Sequence, residues 1–456
     1  MYFQRIIDRY LEQWAKRNDH KPMLLRGARQ VGKSTAVRHL GETFENFVEI
    51  NFERQPEYKQ VFKDNLVVAR IVSEISAMSA TPIVSGKTLL FFDEIQESQE
   101  AIMSLRFFRE DMPELHVIAA GSLLEFALSE LPTFGVGRIH SMYMYPMTFD
   151  EYLEANGETI LLDYKRKASS EHPLPESLHN KLTALVRSYF LVGGMPEVVG
   201  KWVETHDYLQ CQEVQDDIIS GYEDDFPKYR KKIDPVLLRL TLRGVAAQVT
   251  QKFSYADVGG GYRTEEVKKA LEMLLLAGIC TQVIRTDANG LPLGSESDLR
   301  YRKILILDSG LYLRLLNMSS IDVSKIVAEI LTEDAADLIN KGPLAEMVAG
   351  LEMLRYKTPN IRHDLYYWTR VAKNSQAEVD YIEAKDSRVL PIEVKASTKG
   401  GMKSLWIFMR EKGLSSAIRC SLENFDQFEY IDRESDNAVR CVKICPIYAL
   451  SNLINS

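Results

Sequence analysis

The sequence predicts an α/β protein in which a parallel sheet carries a phosphate-binding loop and a second α/β region follows near the carboxyl end. Three observations predict this fold class. Gly27–Ser34 has the G-x-x-x-x-G-K-S pattern of a phosphate-binding loop. Thr88–Phe92 is an apolar run that leads into two acidic residues, as a strand buried on both faces does. Between residues 341 and 395, carboxylates recur in order along a helix and several strands.

The context of the loop supports a binding site. Met23–Leu25 precedes it as a short buried strand, and Thr35–Leu40 follows it with helical spacing. The glycines let the backbone close around an anion, which the helix N-terminus attracts. Lys33 would reach the β- and γ-phosphates of ATP, and Ser34 would bind Mg²⁺. The predicted nucleotide-binding residues are Gly27, Ala28, Arg29, Gln30, Val31, Gly32, Lys33, Ser34 and Thr35. The alternative is a plain glycine turn, which both flanks disfavour.

Hydrolysis needs a second carboxylate site, and the apolar run ending at Phe92 supplies one. Asp93 stands at the carboxyl end of that strand, where ligands bind in open α/β sheets. We expect Asp93 to hold the Mg²⁺, directly or through water, and Glu94 to polarise the attacking water. The alternative is a strand that merely runs into a loop.

Composition narrows the class of protein. A length of 456 residues corresponds to about three domains. The net charge of −8 argues against a uniformly basic surface for nucleic acid, but it leaves room for a local basic face. The five cysteines form no paired framework, which favours reduced thiols and a cytoplasmic protein. The apolar stretch Leu271–Ile284 is too short to cross a bilayer, so no membrane association is expected.

Several segments together resemble one family. They are the loop, the strand with Asp93-Glu94-Ile95-Gln96, the segment Ala119–Glu125, and Gly137-Arg138 before Tyr145–Tyr152. The chain is similar to prokaryotic AAA-like ATPases of the AAA_14 type with a C-terminal DUF4143 domain, within the archaeal-type and STAND group. Gly193–Pro196 and Leu307–Leu311 also resemble that family. The resemblance implies four regions: an ATPase core at 1–155, a helical lid at 156–232, a winged helix-like domain at 233–312 and a DUF4143-like domain at 335–456.

Two further residues are candidates for the ATPase reaction. The resemblance implies that Ser122, after the strand beside the Asp93 strand, senses the γ-phosphate; a turn-forming serine is the alternative. Arg138 follows the flexible stretch Gly135–Gly137 and is a candidate arginine finger, acting in cis or from a neighbouring subunit of an oligomer. The alternative is an ordinary surface arginine.

The region 233–312 has the rhythm of a winged helix. We expect helices at Val236–Thr250, Tyr255–Val258 and Glu265–Leu276, then strands at Ile279–Arg285 and Lys303–Leu307. As a DNA reader, the third helix would lie in the major groove. The cations available for phosphate contacts are Arg263, Lys268 and Lys269, with Lys228, Arg230, Lys231 and Lys232 upstream. The acidic residues Glu265, Glu266 and Glu272 favour instead a lid or a protein-binding module.

The C-terminal carboxylates resemble the core of PD-(D/E)xK nucleases. Asp380 and Glu393 on successive strands would share a second divalent metal, Mg²⁺ or Mn²⁺. Lys395 lies on the same strand face as Glu393 and would orient water, and Glu346 would complete the metal shell from a helix. Alternatives are a hairpin with exposed charges, or a nuclease fold kept as an inactive docking domain. In that case Lys395 would neutralise the carboxylates in place of metal.

Two classes of function therefore remain open. In the first, ATP binding controls a C-terminal nuclease-like domain that acts on DNA or RNA. In the second, the chain is a STAND-like switch or scaffold whose C-terminal domain only recognises a protein partner. Both need Lys33 and Asp93, and only the first needs Asp380, Glu393 and Lys395 as chemistry.

Overall fold

The computed structural model describes residues 2–122, 124–130, 137–229, 233–316, 341–370, 377–395, 401–435 and 437–454. The chain forms two compact units. The N-terminal unit comprises Met1–Pro146 and two later segments, Leu276–Ile279 and Thr358–Arg362. The C-terminal unit comprises Met147–Leu275, Cys280–Lys357 and His363–Ser456. None of the described helices combines the length and the apolar composition that a bilayer crossing needs.

A parallel sheet forms the centre of the N-terminal unit. Its strands are β1 (Met23–Arg26), β2 (Asn46–Asn51), β3 (Thr88–Asp93), β4 (His116–Ala120) and β5 (His140–Tyr143). In the described part of the chain they stand in the order β2-β3-β4-β1-β5, and each neighbouring pair is parallel. Strands β3 and β4 are buried along their whole length, because helices cover both faces of a parallel sheet. The position of β4 between β1 and β3 brings its carboxyl end next to both.

Helices pack around this sheet. They are α1 (Ile6–Ala15), α2 (Lys33–Gly41), α3 (Val68–Ser79), α4 (Gln99–Asp111) and α5 (Leu124–Glu130). The apolar faces of α3 and α4 share one core with β2, β3 and β4. Just before α1, the buried Arg5 donates from Nη1 to the Val31 carbonyl at 2.9 Å and from Nη2 to the Tyr145 carbonyl at 2.7 Å. This guanidinium therefore fixes the loop after β1 to the chain after β5.

The C-terminal unit begins with helices. They are α6 (Phe149–Ala155), α7 (Thr159–Lys167), α8 (Glu176–Val192), α9 (Pro196–Thr205) and α10 (Tyr208–Asp225). The turn between α8 and α9 contains Gly193 and Gly194, and a Cβ at Gly193 would overlap the carboxylate of Asp308. The Gly194 N–H donates to Asp308 Oδ2 at 2.6 Å, and the Arg355 guanidinium lies 3.8 Å from the same oxygen. The two glycine motifs are therefore parts of one buried polar network.

The remaining helices and strands follow. The helices are α11 (Pro235–Ala247), α12 (Thr264–Leu276), α13 (Ser309–Leu315), α14 (Lys341–Arg355), α15 (Lys403–Glu411) and α16 (Leu450–Ile454). The strands are β6 (Cys280–Thr286), β7 (Ser297–Ile306), β8 (Leu365–Thr369), β9 (Glu378–Lys385), β10 (Arg388–Val394), β11 (Ser416–Ser421), β12 (Asp426–Asp432) and β13 (Ala438–Pro446). Within the described residues these strands form one mixed sheet in the order β12-β13-β11-β10-β9-β8-β6-β7.

The region predicted as a winged helix differs from the expectation at its hairpin. Helices α11 and α12 lie where the sequence predicted helices, and Ala256–Val258 forms one 3₁₀ turn between them. Strand β6, however, pairs in parallel with β8, so the hairpin β6–β7 is the edge of the larger sheet and no free wing. The second strand also begins at Ser297, ahead of the predicted Lys303. The predicted boundary between the winged helix-like region (233–312) and the DUF4143-like region (335–456) stays a prediction. Strands from both regions form this one sheet.

Candidate nucleotide site and C-terminal carboxylate cluster

The phosphate loop lies between β1 and α2, as the sequence predicts. Gly27 has a φ of +145°, and a Cβ at this position would overlap the carbonyl oxygen of Met144. Gly32 has a φ of +99° at the residue before α2, where only glycine is unstrained. The backbone therefore curls around the N-terminus of α2, whose N–H groups and dipole favour an anion. This cradle fits a phosphate group.

The other loop residues have distinct surroundings. Ala28 and Val31 are buried, and the Val31 carbonyl accepts the Arg5 hydrogen bond. Gln30 is exposed and has a left-handed φ of +63°, and Thr35 is exposed in the first turn of α2. Arg29, just before Gln30, is partly exposed. Their assignment to the nucleotide stays a prediction.

Lys33 is folded over the loop that precedes it. Its Nζ donates to the carbonyl oxygens of Gly27 at 2.9 Å and Ala28 at 2.7 Å. Burial lowers the pKa of this ammonium to about 8, against the opposing effect of the Glu94 and Asp93 charges. An anion in the loop would therefore stabilise the charged form of Lys33.

Asp93 meets the loop at its serine. Ser34 Oγ lies 3.0 Å and 3.1 Å from the two carboxylate oxygens of Asp93, and Asn51 Nδ2 donates to Oδ2 at 3.1 Å. Burial and the neighbouring Glu94 charge raise the pKa of Asp93, and the Ser34 hydroxyl lowers it. A hydroxyl and a carboxylate side by side are oxygen ligands of the type that Mg²⁺ takes. Ser34 and Asp93 therefore fit the metal that an ATP site requires.

Glu94 is held by two polar neighbours. It has a left-handed φ of +49°, and its Oε2 accepts from Gln96 Nε2 at 2.6 Å. Ser122 contacts the same oxygen with its N–H and its hydroxyl, each at 3.3 Å. The structure therefore brings Ser122 to Glu94, since β4 pairs with β3. Asn51 and Gln96 were missed from the sequence, although Asn51 ends a strand beside β3 and could have been found by that position.

Arg138 does not lie at the nucleotide site of its own chain. It precedes β5, whereas the loop follows β1, and these strands are parallel with His140 opposite Met23. At about 3.3 Å per residue, the five steps from Arg138 to the end of β5 span about 16 Å. Its guanidinium forms an ion pair with Glu110, and half of its side chain is exposed. Action in cis would have to bridge this length, because a parallel sheet puts these two positions at opposite edges, and the role of Arg138 stays a prediction. Gly135 and Val136 lie outside the described residues.

The C-terminal carboxylates gather around two lysines. Asp380 Oδ2 accepts from the Val394 N–H at 2.8 Å, and Lys395 Nζ contacts Glu393 Oε1 at 2.5 Å. Burial, then the Asp380 charge, raise the pKa of Glu393 to about 7. Burial also raises the pKa of Glu346 to about 8, which the Lys303 charge opposes. The four predicted residues therefore share one cluster, yet no group of three acidic, histidine or cysteine side chains in the described residues is arranged to hold a metal.

Two members of this cluster were missed from the sequence. Lys303 is 1% exposed, and its Nζ contacts Glu346 Oε1 at 2.8 Å and Glu378 Oε1 at 2.6 Å. Glu378 stands two residues before Asp380 on β9 and thus on the same strand face. The available signal was a lysine at the start of the apolar run Ile304–Leu307, where a charge needs a buried partner.

Several cations assigned to DNA already have acidic partners. Lys268 Nζ lies 2.8 Å from Glu265, and Lys228 Nζ lies 2.9 Å from Asp225. Residues 230–232 lie outside the described residues. Such exposed pairs are weak, so both alternatives for α12 stay predictions.

Family models match three parts of the chain. Residues 19–153 match an AAA domain (AAA_14), residues 183–322 match a domain of unknown function (DUF8612), and residues 341–442 match another (DUF4143). A search of curated proteins finds no match.

Solved structures include similar chains. One is a variant of Thermotoga maritima RuvB, with 17% identity, 67% of this chain and 91% of that chain covered, and a TM-score of 0.28. A STAND protein with a tetratricopeptide repeat sensor from Pyrococcus horikoshii has 10% identity, 76% and 45% coverage, and a TM-score of 0.26. Drosophila ORC bound to DNA has 15% identity, 68% and 84% coverage, and a TM-score of 0.26. By its family matches, the chain contains an AAA domain at residues 19–153 and a DUF4143 match at residues 341–442.

Proposed function

We propose that the N-terminal unit binds ATP with Mg²⁺ and hydrolyses it. The observation that carries the proposal is the contact of Ser34 with Asp93, with Glu94 as the next residue. The loop N–H groups and Lys33 would bind the phosphates, and Ser34 and Asp93 would hold the metal. Bound Mg²⁺ would neutralise charge that develops on the phosphate oxygens.

Glu94 is positioned to act on water. Gln96 and Ser122 both donate to its Oε2, so these contacts orient the carboxylate and do not engage Oε1. Oε1 would accept the proton of the attacking water. Ser122 would contact both this carboxylate and the γ-phosphate, because it follows β4, the strand between β1 and β3.

The test is ATP binding and turnover in three variants of the full chain. Lys33→Ala should abolish binding, because it removes the cation that meets the phosphates. Glu94→Gln should bind ATP as the unmodified chain does while turnover falls by about 100-fold or more, the size of a general-base contribution. Glu97→Gln is the matched control, since Glu97 is exposed and pairs with Lys59 outside this site. Equal turnover in Glu94→Gln and Glu97→Gln would remove Glu94 from its role.

We infer further that the nucleotide state reaches the C-terminal unit through the hairpin β6–β7. Gly278 connects α12 to β6, and a Cβ there would stand 3.3 Å from the Ala28 nitrogen in the phosphate loop. Its φ of +73° ends α12 and aims the chain into β6. A change in the loop would therefore act on Gly278, two residues before β6 begins.

For the C-terminal unit, the proposal is a nuclease-like domain under nucleotide control. Helix α14, the antiparallel strands β8–β9–β10, helix α15 and β11, parallel to β10, follow the order that the nuclease resemblance implies. Glu393 Oε2 is buried without a hydrogen-bond partner in the described residues, as an oxygen reserved for a ligand would be. A metal-dependent cut in DNA or RNA would use Asp380, Glu393 and Lys395.

A recognition domain without cleavage is the second candidate, and the two lysines among the carboxylates favour it. The discriminating assay incubates the full chain with DNA and RNA in Mg²⁺ or Mn²⁺, with and without ATP, beside Asp380→Ala. Cleavage lost in Asp380→Ala establishes the nuclease. No cleavage under any condition leaves the recognition domain, acting on a protein partner or on nucleic acid.

Arg138 acting in trans within an oligomer also stays a prediction.

A further inference from the structure

The ammonium of Lys303 lies in the acidic cluster of the C-terminal unit, although Lys303 precedes the nuclease-like segment in the sequence. It belongs to β7, the edge strand of the sheet, and its side chain is fully enclosed. Its ammonium bridges Glu346 on α14 and Glu378 on β9, at 2.8 Å and 2.6 Å, and stands 4.9 Å from the centre of the Tyr367 ring. A buried lysine that bridges two carboxylates makes the contacts that a bound cation would make.

The carboxylates need positive charge in this place. The register of β9 and β10 pairs Tyr381 with Ile392, and the next step puts Asp380 opposite Glu393. Like charges directly opposite each other on adjacent strands destabilise the pair. With Glu346 and Glu378, four carboxylates face two ammonium groups, those of Lys303 and Lys395. The two ammonium groups can therefore neutralise only two of the four acidic side chains.

One carboxylate oxygen in the cluster points to a missing ligand. Glu393 is 5% exposed, Lys395 contacts its Oε1, and its Oε2 is buried with no hydrogen bond from any described group. Such an oxygen is costly unless a cation or a proton meets it. The Glu393 side chain belongs to the same cluster, because the register of β9 and β10 puts it opposite Asp380.

We propose that Lys303 is the resident cation of this cluster and that its ammonium keeps a divalent cation out. Glu346 and Glu378 are engaged by Lys303, which leaves Asp380 and Glu393 without the further ligands that Mg²⁺ or Mn²⁺ needs. Removal of the ammonium releases Glu346 and Glu378 and opens a site for a hard divalent cation. The inference rests on the second candidate of the proposed function, a recognition domain without cleavage, and it does not depend on ATP hydrolysis.

The test measures Mn²⁺ binding and thermal unfolding of the full chain without nucleotide. Every chain carries Asp93→Asn, which removes the metal ligand of the ATP site. Lys303→Met keeps the length of the side chain and deletes its charge. We expect this variant to melt at a lower temperature than its parent, to regain several degrees in Mn²⁺, and to bind Mn²⁺ at least tenfold more tightly in equilibrium dialysis.

Two controls make the result specific. Adding Glu393→Gln to Lys303→Met should abolish the gain in Mn²⁺ binding. Lys357→Met is the matched control, because it deletes a second lysine, mostly buried, whose partner Glu383 also stands on β9. It should gain no Mn²⁺ binding.

Two results would overturn the proposal. One is Mn²⁺ binding in the parent chain as tight as in Lys303→Met. If Lys303→Met does not fold, the double variant Lys303→Met/Glu346→Gln removes one positive and one negative charge together and replaces it. Failure of the double variant to bind more Mn²⁺ than its parent is the other.

Discussion

Replacing Gly278 with alanine tests whether the chain that leads into β6 affects ATP binding by the phosphate loop. The substitution has two separable effects. Alanine at a φ of +73° is strained by about 1–2 kcal/mol, because L-residues avoid left-handed backbone. Its Cβ would also stand 3.3 Å from the nitrogen and 3.5 Å from the Cβ of Ala28, so the loop must shift by a few tenths of an ångström.

The matched control isolates the second effect. Gly86 has nearly the same φ, +74°, and a Cβ there would meet no atom within 4 Å. Gly86→Ala therefore carries the strain without the contact. Both variants should lose a similar free energy of unfolding, by about 1–2 kcal/mol in urea denaturation of the N-terminal unit.

ATP affinity should separate the two variants. A hydrogen bond from a loop N–H to a charged phosphate contributes about 1.5–3 kcal/mol. Losing one such bond in Gly278→Ala raises the Kd for ATP by about 10- to 100-fold. Isothermal titration with a non-hydrolysable ATP analogue measures both Kd values against the unmodified chain. Equal Kd values in Gly278→Ala and Gly86→Ala would refute the contact as a route from the loop to β6.

Two other predictions concern stability. Arg355→Met should lower the free energy of unfolding of the C-terminal unit by about 3–5 kcal/mol, because it leaves the buried Glu352 and Asp308 uncompensated. Urea denaturation measures this loss. As a control, Arg300→Met removes an exposed arginine and should change the free energy of unfolding little. His116 stacks on His20 at 3.8 Å, and burial, then the His20 ring, lower its pKa from 6.5 to about 4. Between these values the unfolded chain binds more protons, so stability of the N-terminal unit should fall as the pH drops from 6.5 to about 4. His116→Gln should flatten that slope in denaturation series at stepped pH, and an unchanged slope would contradict the assignment.

Much of the nucleotide site was predictable because its signals are local. The loop Gly27–Ser34 is contiguous, and its glycines, lysine and serine act through backbone geometry that neighbouring residues set. Asp93 was found because an apolar run followed by a carboxylate marks the end of a buried parallel strand. Ser122 required one further step, the pairing of its strand with β3, and the family resemblance supplied it.

Arg138 shows where local reasoning stopped. A glycine before an arginine indicates a flexible chain that could bring the side chain to a distant group. Which group it can contact depends on the edge of the sheet at which β5 begins. Parallel pairing of β5 with β1 puts Arg138 at the edge opposite the loop. Gln96 was missed for a related reason, since its contact with Glu94 depends on the left-handed backbone of Glu94 itself.

By itself, the sequence determined the phosphate loop, the serine and aspartate that we propose as metal ligands, and the order of carboxylates in the C-terminal region. Each of these is a pattern along one or two elements, where spacing alone sets which side chains share a face. Only the tertiary structure decided what meets those carboxylates. Lys303 lies 43 residues before Glu346 and 75 before Glu378 in the sequence, and it reaches them because β6 pairs with β8 and extends the sheet. Charge neutralisation depends on the distance between groups in space. The spacing of residues around Lys303, or around Glu346 and Glu378, does not reveal that distance.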